Sequence, residues 1–260
     1  PFETPTPLTV VNSSAYEASP SISADGLSLY FISNRSGGPG GWDIYLSTRA
    51  DPFSAFRAPT LVTALNSSSD ESDISVAADD LTIYFTSSRP GGPGPGDVWT
   101  ATRADRLAAF GAPSLLDAVN GSANDSYVEI SGTGRELFLV SDRGGGLGGP
   151  DLWRTERIDT LGVFGTPVNV AELNTSTSDC CPSLSADGTT LYFASSRAGS
   201  LGAGDIYYAT RECLETAPSG VTETTFADFA DGTFPRSAGD LYVSAAGAVR
   251  WIRAGDLDGN

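Results

Sequence analysis

Short runs of apolar and β-branched residues alternate with turn residues along most of the chain. Each run is bounded by Gly, Pro, Asn or Asp, as in LSLYFISN at residues 27–34 and WDIYLSTR at residues 42–49. Runs of this length and composition predict β-strands, and no segment keeps the 3.6-residue period of an amphipathic helix. The pattern therefore predicts an all-β protein.

The pattern repeats every 54 residues, without insertion or deletion, over four units. Each unit has a Ser-x-Arg ending and an Asp eight residues later, separated by a Gly-rich stretch. The arginines are Arg35, Arg89, Arg143 and Arg197, and the aspartates are Asp43, Asp97, Asp151 and Asp205. Each unit supplies four short strands, and four strands in roughly 40–55 residues are typical of a propeller blade. We therefore predict a β-propeller of four-stranded blades.

The N-terminal residues are in phase with the fourth strand of a blade. Phe2, Pro5, Val11 and Asn12 lie 54 residues before Phe56, Pro59, Leu65 and Asn66. The chain thus begins with a fourth strand that has no first three. We expect this strand to complete the last blade and close the ring, because an open edge invites aggregation.

The repeats occupy residues 1–213, and the pattern breaks after them. Pro218 stands where the earlier units have Phe56, Phe110 and Phe164. Residues 214–260 form either a divergent fifth blade, around 222–254, or the start of another module. The first alternative gives five blades, which we expect, and the second gives four.

The composition narrows the classes of function. The chain has 32 acidic and 15 basic residues, a net charge of −17, and no His; every basic residue is Arg. Such a surface argues against nucleic-acid partners, and the missing His excludes imidazole-based catalysis. Apolar runs are only strand-length, so we expect no membrane insertion. Because the chain begins at Pro1 and has no initiator Met, we expect a processed form or a fragment, and removal of an upstream targeting segment is one such processing step.

Two units carry a family resemblance, SADGLSLYFISNRSGGPGGWDIY at 23–45 and SADGTTLYFASSRAGSLGAGDIY at 185–207. They resemble the WD40-like (PD40) repeats of bacterial TolB-type propellers. The third unit departs from the pattern with Gly-Thr-Gly at 132–134, and residues 214–260 lie outside it. The resemblance implies a propeller fold, an exported bacterial protein in the periplasm or outside the cell, and a protein-binding or scaffold role. The same broad class includes enzymes, so the fold does not settle the function.

The charged series are interpreted as structural, because a single active site needs only one copy. Each arginine and the aspartate after it are expected to face each other across a hairpin as a bidentate pair. A third series precedes each first strand and is expected to share the arginine charge: Glu17, Glu71, Asp125 and Asp179. The alternative is a ring of carboxylates that binds cations.

Three features are candidates for binding. Trp42 departs from the phase, since its counterparts are Gly96, Pro150 and Gly204, and we expect it to be a loop contact residue. No cofactor is required, but calcium is an alternative at the acidic stretch 69–73 and at the tail, where oxygen ligands alternate as in a calcium loop. The tail ligands would be Asp256, Asp258 and Asn260. Of the cysteines, Cys213 either pairs with Cys180 or Cys181, or all three remain thiols.

Two functions follow from these features. The leading hypothesis is a non-catalytic, exported binding or scaffold propeller with a protein or carbohydrate partner. The alternative is a carbohydrate-active hydrolase or lyase that works with carboxylates alone. Such an enzyme needs one singular pair of acids in a concave site, whereas the acids recognised in the sequence recur in every blade.

Overall fold

The computed structural model describes residues 4–212, 241–245 and 248–252. The chain forms two compact units, Pro1–Thr210 and Arg211–Asn260. The described part of the second unit is a hairpin of β16 (Leu241–Ala245) and β17 (Ala248–Ile252). The remainder of the predicted fifth blade lies outside the described residues. None of the described residues is helical, and none of them forms a helix able to span a membrane.

The first unit consists of four successive antiparallel sheets, each corresponding to one 54-residue repeat. Blade 1 contains β1 (Glu17–Ile22), β2 (Ser28–Ser33), β3 (Asp43–Thr48) and β4 (Thr60–Leu61). Blade 2 contains β5 (Glu71–Val76), β6 (Thr82–Ser87), β7 (Asp97–Thr102) and β8 (Ser114–Leu115). Blade 3 contains β9 (Asp125–Ile130), β10 (Glu136–Ser141), β11 (Asp151–Glu156) and β12 (Val168–Asn169). Blade 4 contains β13 (Asp179–Leu184), β14 (Thr190–Ser195) and β15 (Asp205–Thr210). The predictions of an all-β fold and of propeller blades are confirmed.

Successive apolar side chains on the second strand of each blade point to opposite faces of the sheet, as the two-residue period of a strand requires. In blade 1, Tyr30 and Ile32 pack into a cluster shared with blade 2, whereas Leu29 and Phe31 pack with Val11 on the other side. Blades 2 and 3 share a second cluster, and blades 3 and 4 a third. Within residues 4–212, successive blades are therefore stabilised mainly by packing against each other.

Polar contacts also join the inner strands. The Val76 N–H donates to the Ser21 hydroxyl at 3.1 Å, and the Ile130 N–H donates to Ser75 in the same way at 3.0 Å. Between blades 3 and 4 the Leu184 N–H donates to the Glu129 carboxylate at 3.3 Å. The first strands of successive blades therefore line up side by side as the inner strands of the propeller.

Blades 1 and 2 share one further buried polar cluster, centred on Asp80. Its carboxylate accepts hydrogen bonds from the Ser28 hydroxyl at 2.7 Å and the Tyr30 hydroxyl at 2.8 Å, and it pairs with Arg103 at 2.7 Å. Asp80 is fully buried. The in-phase positions are glycines, Gly26, Gly134 and Gly188, so this cluster belongs to one interface only.

The N-terminal segment keeps the repeat phase but does not form the predicted strand. Val11 is buried, and its carbonyl accepts a hydrogen bond from Arg35, as the Leu65 carbonyl does from Arg89. Thr6 and Pro7, which are in phase with β4, are not in a strand, and β15 pairs only with β14. Each fourth strand has only two residues, so few hydrogen bonds would hold the N-terminal segment against β15. The expected closure by the N-terminal strand is therefore not formed here.

The outer face of blade 4 is exposed as a result. Ile206 is 81% exposed, whereas its counterparts Ile44, Val98 and Leu152 are 0% exposed. Tyr192 and Tyr208 on the same blade are exposed as well. Within the described residues, this face lacks the neighbour that covers each of the other three blades.

Candidate functional site

Each repeat arginine pairs with the acidic residue that opens the inner strand of its own blade. The Arg89 guanidinium contacts the Glu71 carboxylate at 2.8 Å and the Ser87 hydroxyl at 3.0 Å, and it lies over the Phe85 and Trp99 rings. Glu71 is fully buried. The same pairing recurs in the other blades: Arg35–Glu17, Arg143–Asp125 and Arg197–Asp179.

The aspartate eight residues after each arginine has a different partner. The Asp97 carboxylate accepts a hydrogen bond from the Gly94 N–H at 3.2 Å, and Asp43 accepts one from Gly40 at the same distance. Asp151 and Asp205 accept backbone N–H groups in the same loop of their own blades. These aspartates therefore hold the Gly-rich loop.

The predicted Arg–Asp pair across the hairpin is not formed, because the arginine side chain turns towards the inner strand. Ser87 lies between Glu71 on one neighbouring strand and Asp97 on the other. Arg89 folds back over the aromatic rings towards Ser87 and the inner strand, so it reaches Glu71. The acidic residues that open the inner strands are thus the partners of the arginines. The four arginines and the two acidic series together stabilise the structure of the blades.

Buried carboxyl groups set the expected response of stability to pH. Burial raises the pKa of five of them, namely Asp43, Glu71, Asp73, Asp97 and Glu129. Hydrogen bonds lower the pKa of Asp25, Asp51 and Asp187, beginning with those from neighbouring serines. Lowering the pH therefore stabilises the folded state through the carboxyls with a raised pKa and destabilises it through those with a lowered pKa.

We expect the melting temperature to rise as the pH is lowered from neutral towards the ordinary carboxyl range of about 4. Carboxyls with a raised pKa bind protons more tightly in the folded state, so their contribution is present below the unfolded pKa and lost as the pH rises through the folded pKa. Below about pH 4 the groups with a lowered pKa lose their contribution, and stability should fall. Thermal denaturation at constant ionic strength checks this. A melting temperature that falls steadily from pH 8 to pH 5 would contradict it.

Trp42 lies in the loop after β2, as expected, and its side chain is partly buried. It packs against the cluster shared by blades 1 and 2, and its ring centroid lies 6.4 Å from that of Tyr16. Its backbone N–H donates to Asp70 at 3.0 Å, and its carbonyl accepts from the Glu71 N–H at 2.9 Å. Trp42 therefore joins the loop of blade 1 to the start of blade 2.

A cavity of about 210 Å³ occupies the corresponding place between blades 3 and 4. Pro150 occupies the repeat position that Trp42 has in blade 1, and Asn124 occupies the repeat position of Tyr16. Smaller residues thus line this place, whereas in blade 1 Trp42 packs there against the core and Tyr16 stays exposed beside it. The lining is Asn124, Ser126, Tyr127, Val140, Asp142, Pro150, Ser178 and Cys180. We call the side of the propeller that carries this cavity and the Trp42 loop the cavity face.

The inner strands carry a second group of residues that break the repeat. Each inner strand has a bulge at which one non-glycine residue adopts a positive φ: Ser19, Asp73, Tyr127 and Cys181. The Tyr127 N–H donates to the Asp73 carboxylate at 3.4 Å, across the interface of blades 2 and 3. Glu129 also breaks the phase, since its counterparts are Ser21, Ser75 and Ser183. Aligning the four repeats shows that these residues depart from the pattern, but it does not show that they lie close together on neighbouring inner strands.

The predicted metal ligands are not assembled in the described part of the molecule. Asp256, Asp258 and Asn260 lie outside the described residues, as does Cys213. In the acidic stretch 69–73, Glu71 is committed to Arg89. Across residues 4–212, no group of three or more His, Cys, Asp and Glu side chains is placed to hold a metal ion.

The fold of the described blades is similar to that of TolB from Acinetobacter baumannii, with a TM-score of 0.54 and 17% sequence identity. The match covers 77% of this chain and 42% of that one, so the chain spans less than half of that TolB. A putative TolB from Agrobacterium tumefaciens matches with 14% identity and a TM-score of 0.42, over 77% of this chain and 79% of that one. Bacteroides ovatus xyloglucan PUL GH43B matches with 17% identity and a TM-score of 0.44, over 80% and 40%.

No protein-family model and no curated protein sequence matches the chain. At 17% identity the likeness to TolB concerns the fold and not the activity. The blades therefore have a TolB-like propeller fold, as the repeat resemblance implied.

Proposed function

We propose that the protein is a non-catalytic binding or scaffold propeller that recognises a protein or carbohydrate partner through its cavity face. The observation that carries the proposal is the cavity between blades 3 and 4, at the position where Trp42 packs against the core in blade 1. Loops on a rigid scaffold are where binding residues concentrate. The twelve repeated charged residues hold the blades, which leaves the residues that break the repeat to distinguish one partner from another.

The size and lining of the cavity indicate the kind of group that it accepts. A volume of about 210 Å³ is smaller than the roughly 300–1,000 Å³ of most small-molecule sites. It suits one amino-acid side chain or one sugar ring that projects from a larger partner. Tyr127, Val140 and Pro150 offer apolar surface, while Asn124 and Asp142 offer polar atoms at the rim. An amphipathic group is therefore the expected occupant.

Filling the cavity should abolish this recognition. We expect Pro150→Trp to weaken binding at least tenfold, because an indole would occupy the space as Trp42 does in blade 1, and Trp42→Ala to weaken it less. The assay is a panel of polysaccharides and candidate proteins, with and without calcium, measured by titration of the purified chain. Gly204→Trp is the matched control, since Gly204 has the same phase in blade 4 but lies outside the cavity.

Two outcomes would overturn the proposal. One is a ligand that binds the Pro150→Trp, Trp42→Ala and unaltered proteins equally, while all three keep the same melting temperature. The other is turnover of a glycan that is abolished by changing a single carboxylate. The second outcome would favour the hydrolase or lyase alternative.

One observation favours that alternative specifically. Asp73 and Glu129 lie on neighbouring inner strands, neither belongs to a repeated acidic series, and burial raises the pKa of both. Ser75 donates to Glu129 at 2.9 Å, and Ser72 donates to Asp73 at 2.9 Å. An acid with a raised pKa can act as a proton donor near neutral pH. Asp73→Asn and Glu129→Gln are therefore the variants in which lost turnover would identify catalysis.

We also infer that the protein is exported, to the periplasm or the cell exterior. The resemblance of its repeats to exported bacterial propellers supports this, and the strongly acidic, Lys-free composition is compatible with it. Expression of the complete gene with its own N-terminus, followed by fractionation, tests the inference. Recovery only in the cytoplasm would contradict it.

A further inference from the structure

Two adjacent cysteines occupy the bulge of β13. The Sγ atoms of Cys180 and Cys181 lie 2.8 Å apart, and both residues are free thiols. Cys180 is partly buried and lines the cavity, whereas Cys181 is exposed. Both thiols are therefore close to each other and within reach of reagents in solvent.

The bulge explains why neighbouring side chains meet. Successive residues of a regular strand point to opposite faces of the sheet, which keeps adjacent thiols apart. Here Cys181 has a φ of 60°, and the register of β13 against β14 shifts between Cys180 and Ser183. The same bulge occurs in blades 1 to 3, where the two positions are Ala18–Ser19, Ser72–Asp73 and Ser126–Tyr127. The close approach is thus a property of the fold, and blade 4 alone places two thiols there.

The neighbours of the pair belong to the next inner strands. Burial raises the pKa of Cys181, and the Cys180 thiol and the Asp73 carboxylate raise it further. Tyr127 lies beside Cys181, and the pKa of its hydroxyl is raised first by burial and then by Asp73. The Cys181 thiol taken alone is therefore a slow nucleophile, and what distinguishes this place is that a second thiol lies beside it.

We propose that Cys180 and Cys181 form a redox-active dithiol that closes to a vicinal disulfide by exchange with a low-molecular-weight disulfide. One thiolate attacks a sulfur of the small disulfide and releases one small thiol, leaving a mixed disulfide. The second cysteine then attacks the protein sulfur of that mixed disulfide, loses its proton, and releases the second small thiol. Two protein thiols are oxidised, and one small disulfide is reduced to two thiols.

The closed form should be easily reduced. The two Cα atoms are joined by a trans peptide, since no described peptide bond is cis, and such neighbours are about 3.8 Å apart. Disulfides usually join Cα atoms about 4.4–6.8 Å apart, and a shorter span makes the bond more reducible. Exposed and strained disulfides of this type are the labile ones. The disulfide therefore forms and breaks reversibly, unlike a structural cross-link.

The test uses the Cys213→Ser protein, so that only the adjacent pair can react. The protein is treated with oxidised glutathione, freed of reagent, denatured, alkylated and analysed by intact mass and by the mass of the peptide that spans residues 180–181. We expect a mass lower by two hydrogens, no retained glutathione and no alkylation, and full return to the dithiol with a mild reductant. Cys180→Ser and Cys181→Ser, made in the same background, should each retain one glutathione instead. Serine already occupies the first of these positions in blade 2, as Ser72.

Several results would overturn the proposal. Stable mixed disulfides or untouched thiols in the Cys213→Ser protein would show that the pair does not close. A disulfide-linked dimer on a non-reducing gel would show that the thiols react between chains. Mapping of the unaltered protein provides a second measurement, because a bond from Cys213 to Cys180 or Cys181 would show that the adjacent pair is not the preferred partner. Melting temperatures of all variants distinguish lost chemistry from lost folding.

Discussion

Replacing Arg89 with alanine should destabilise the protein by about 3–5 kcal/mol. The Arg89 side chain is 11% exposed and that of Glu71 is 0% exposed, so the substitution leaves a buried carboxylate without its cation. The Glu71 pKa, already raised by burial, would rise further, and the Leu65 carbonyl and Ser87 hydroxyl would each lose a donor. The guanidinium contacts with the Phe85 and Trp99 rings would also disappear.

Urea denaturation of the two proteins measures this effect. Arg106→Ala is the control, because Arg106 pairs with Asp25 on the surface, with side chains 43% and 29% exposed, and such pairs contribute about 1 kcal/mol or less. Arg89→Leu combined with Glu71→Gln should recover part of the loss, because no charge remains buried. If Arg89→Ala and Arg106→Ala cost the same, the interpretation of the repeat arginines as structural residues is wrong.

The sequence predicted the blades because both of their determinants are local and periodic. The two-residue alternation in segments such as Leu29–Ile32 and the turn residues between strands specify each strand, and the 54-residue phase specifies the blade. Repetition of a local pattern four times makes an accidental match improbable. For this reason the propeller was predictable, whereas the closure was not. Closure depends on one short pairing, at Thr6 and Pro7, and a pairing of two residues leaves little pattern in the sequence.

The partners of the charged residues were harder to predict, because they depend on the direction of a side chain. Arg89 can be placed at the end of β6 from the sequence, with Asp97 and Glu71 on neighbouring strands. The sequence does not show that the guanidinium folds back over Phe85 towards the inner strand. Trp42 was singled out correctly as the residue that breaks the phase. Its partial burial follows from the groove between blades 1 and 2, which exists only in three dimensions.

A second prediction with a large effect concerns the Gly-rich loops. Gly94→Ala should destabilise the protein by about 3 kcal/mol, because an added Cβ would overlap the backbone carbonyl oxygen of Ala123 in the next blade. A backbone atom cannot rotate away as the end of a side chain can, so the interface of blades 2 and 3 would have to separate. Gly40 and Gly148 make the same close approach in blades 1 and 3, to the backbone of Ser69 and Ser176. The glycines at this phase therefore set the distance between blades.

Gly202→Ala is the matched control for Gly94→Ala, because Gly202 has the same phase in blade 4, where the described residues place no blade beyond it. The nearest atom to a Cβ at Gly202 is the Asp205 carboxylate, at an ordinary contact distance of 3.6 Å. We expect the control to change stability by less than about 0.5 kcal/mol, as measured by urea denaturation. Because the two substitutions are chemically identical, the difference between them isolates the contribution of the neighbouring blade. Equal losses at Gly94 and Gly202 would mean that another part of the protein covers Ile206 and Tyr208 on this face of blade 4 in solution.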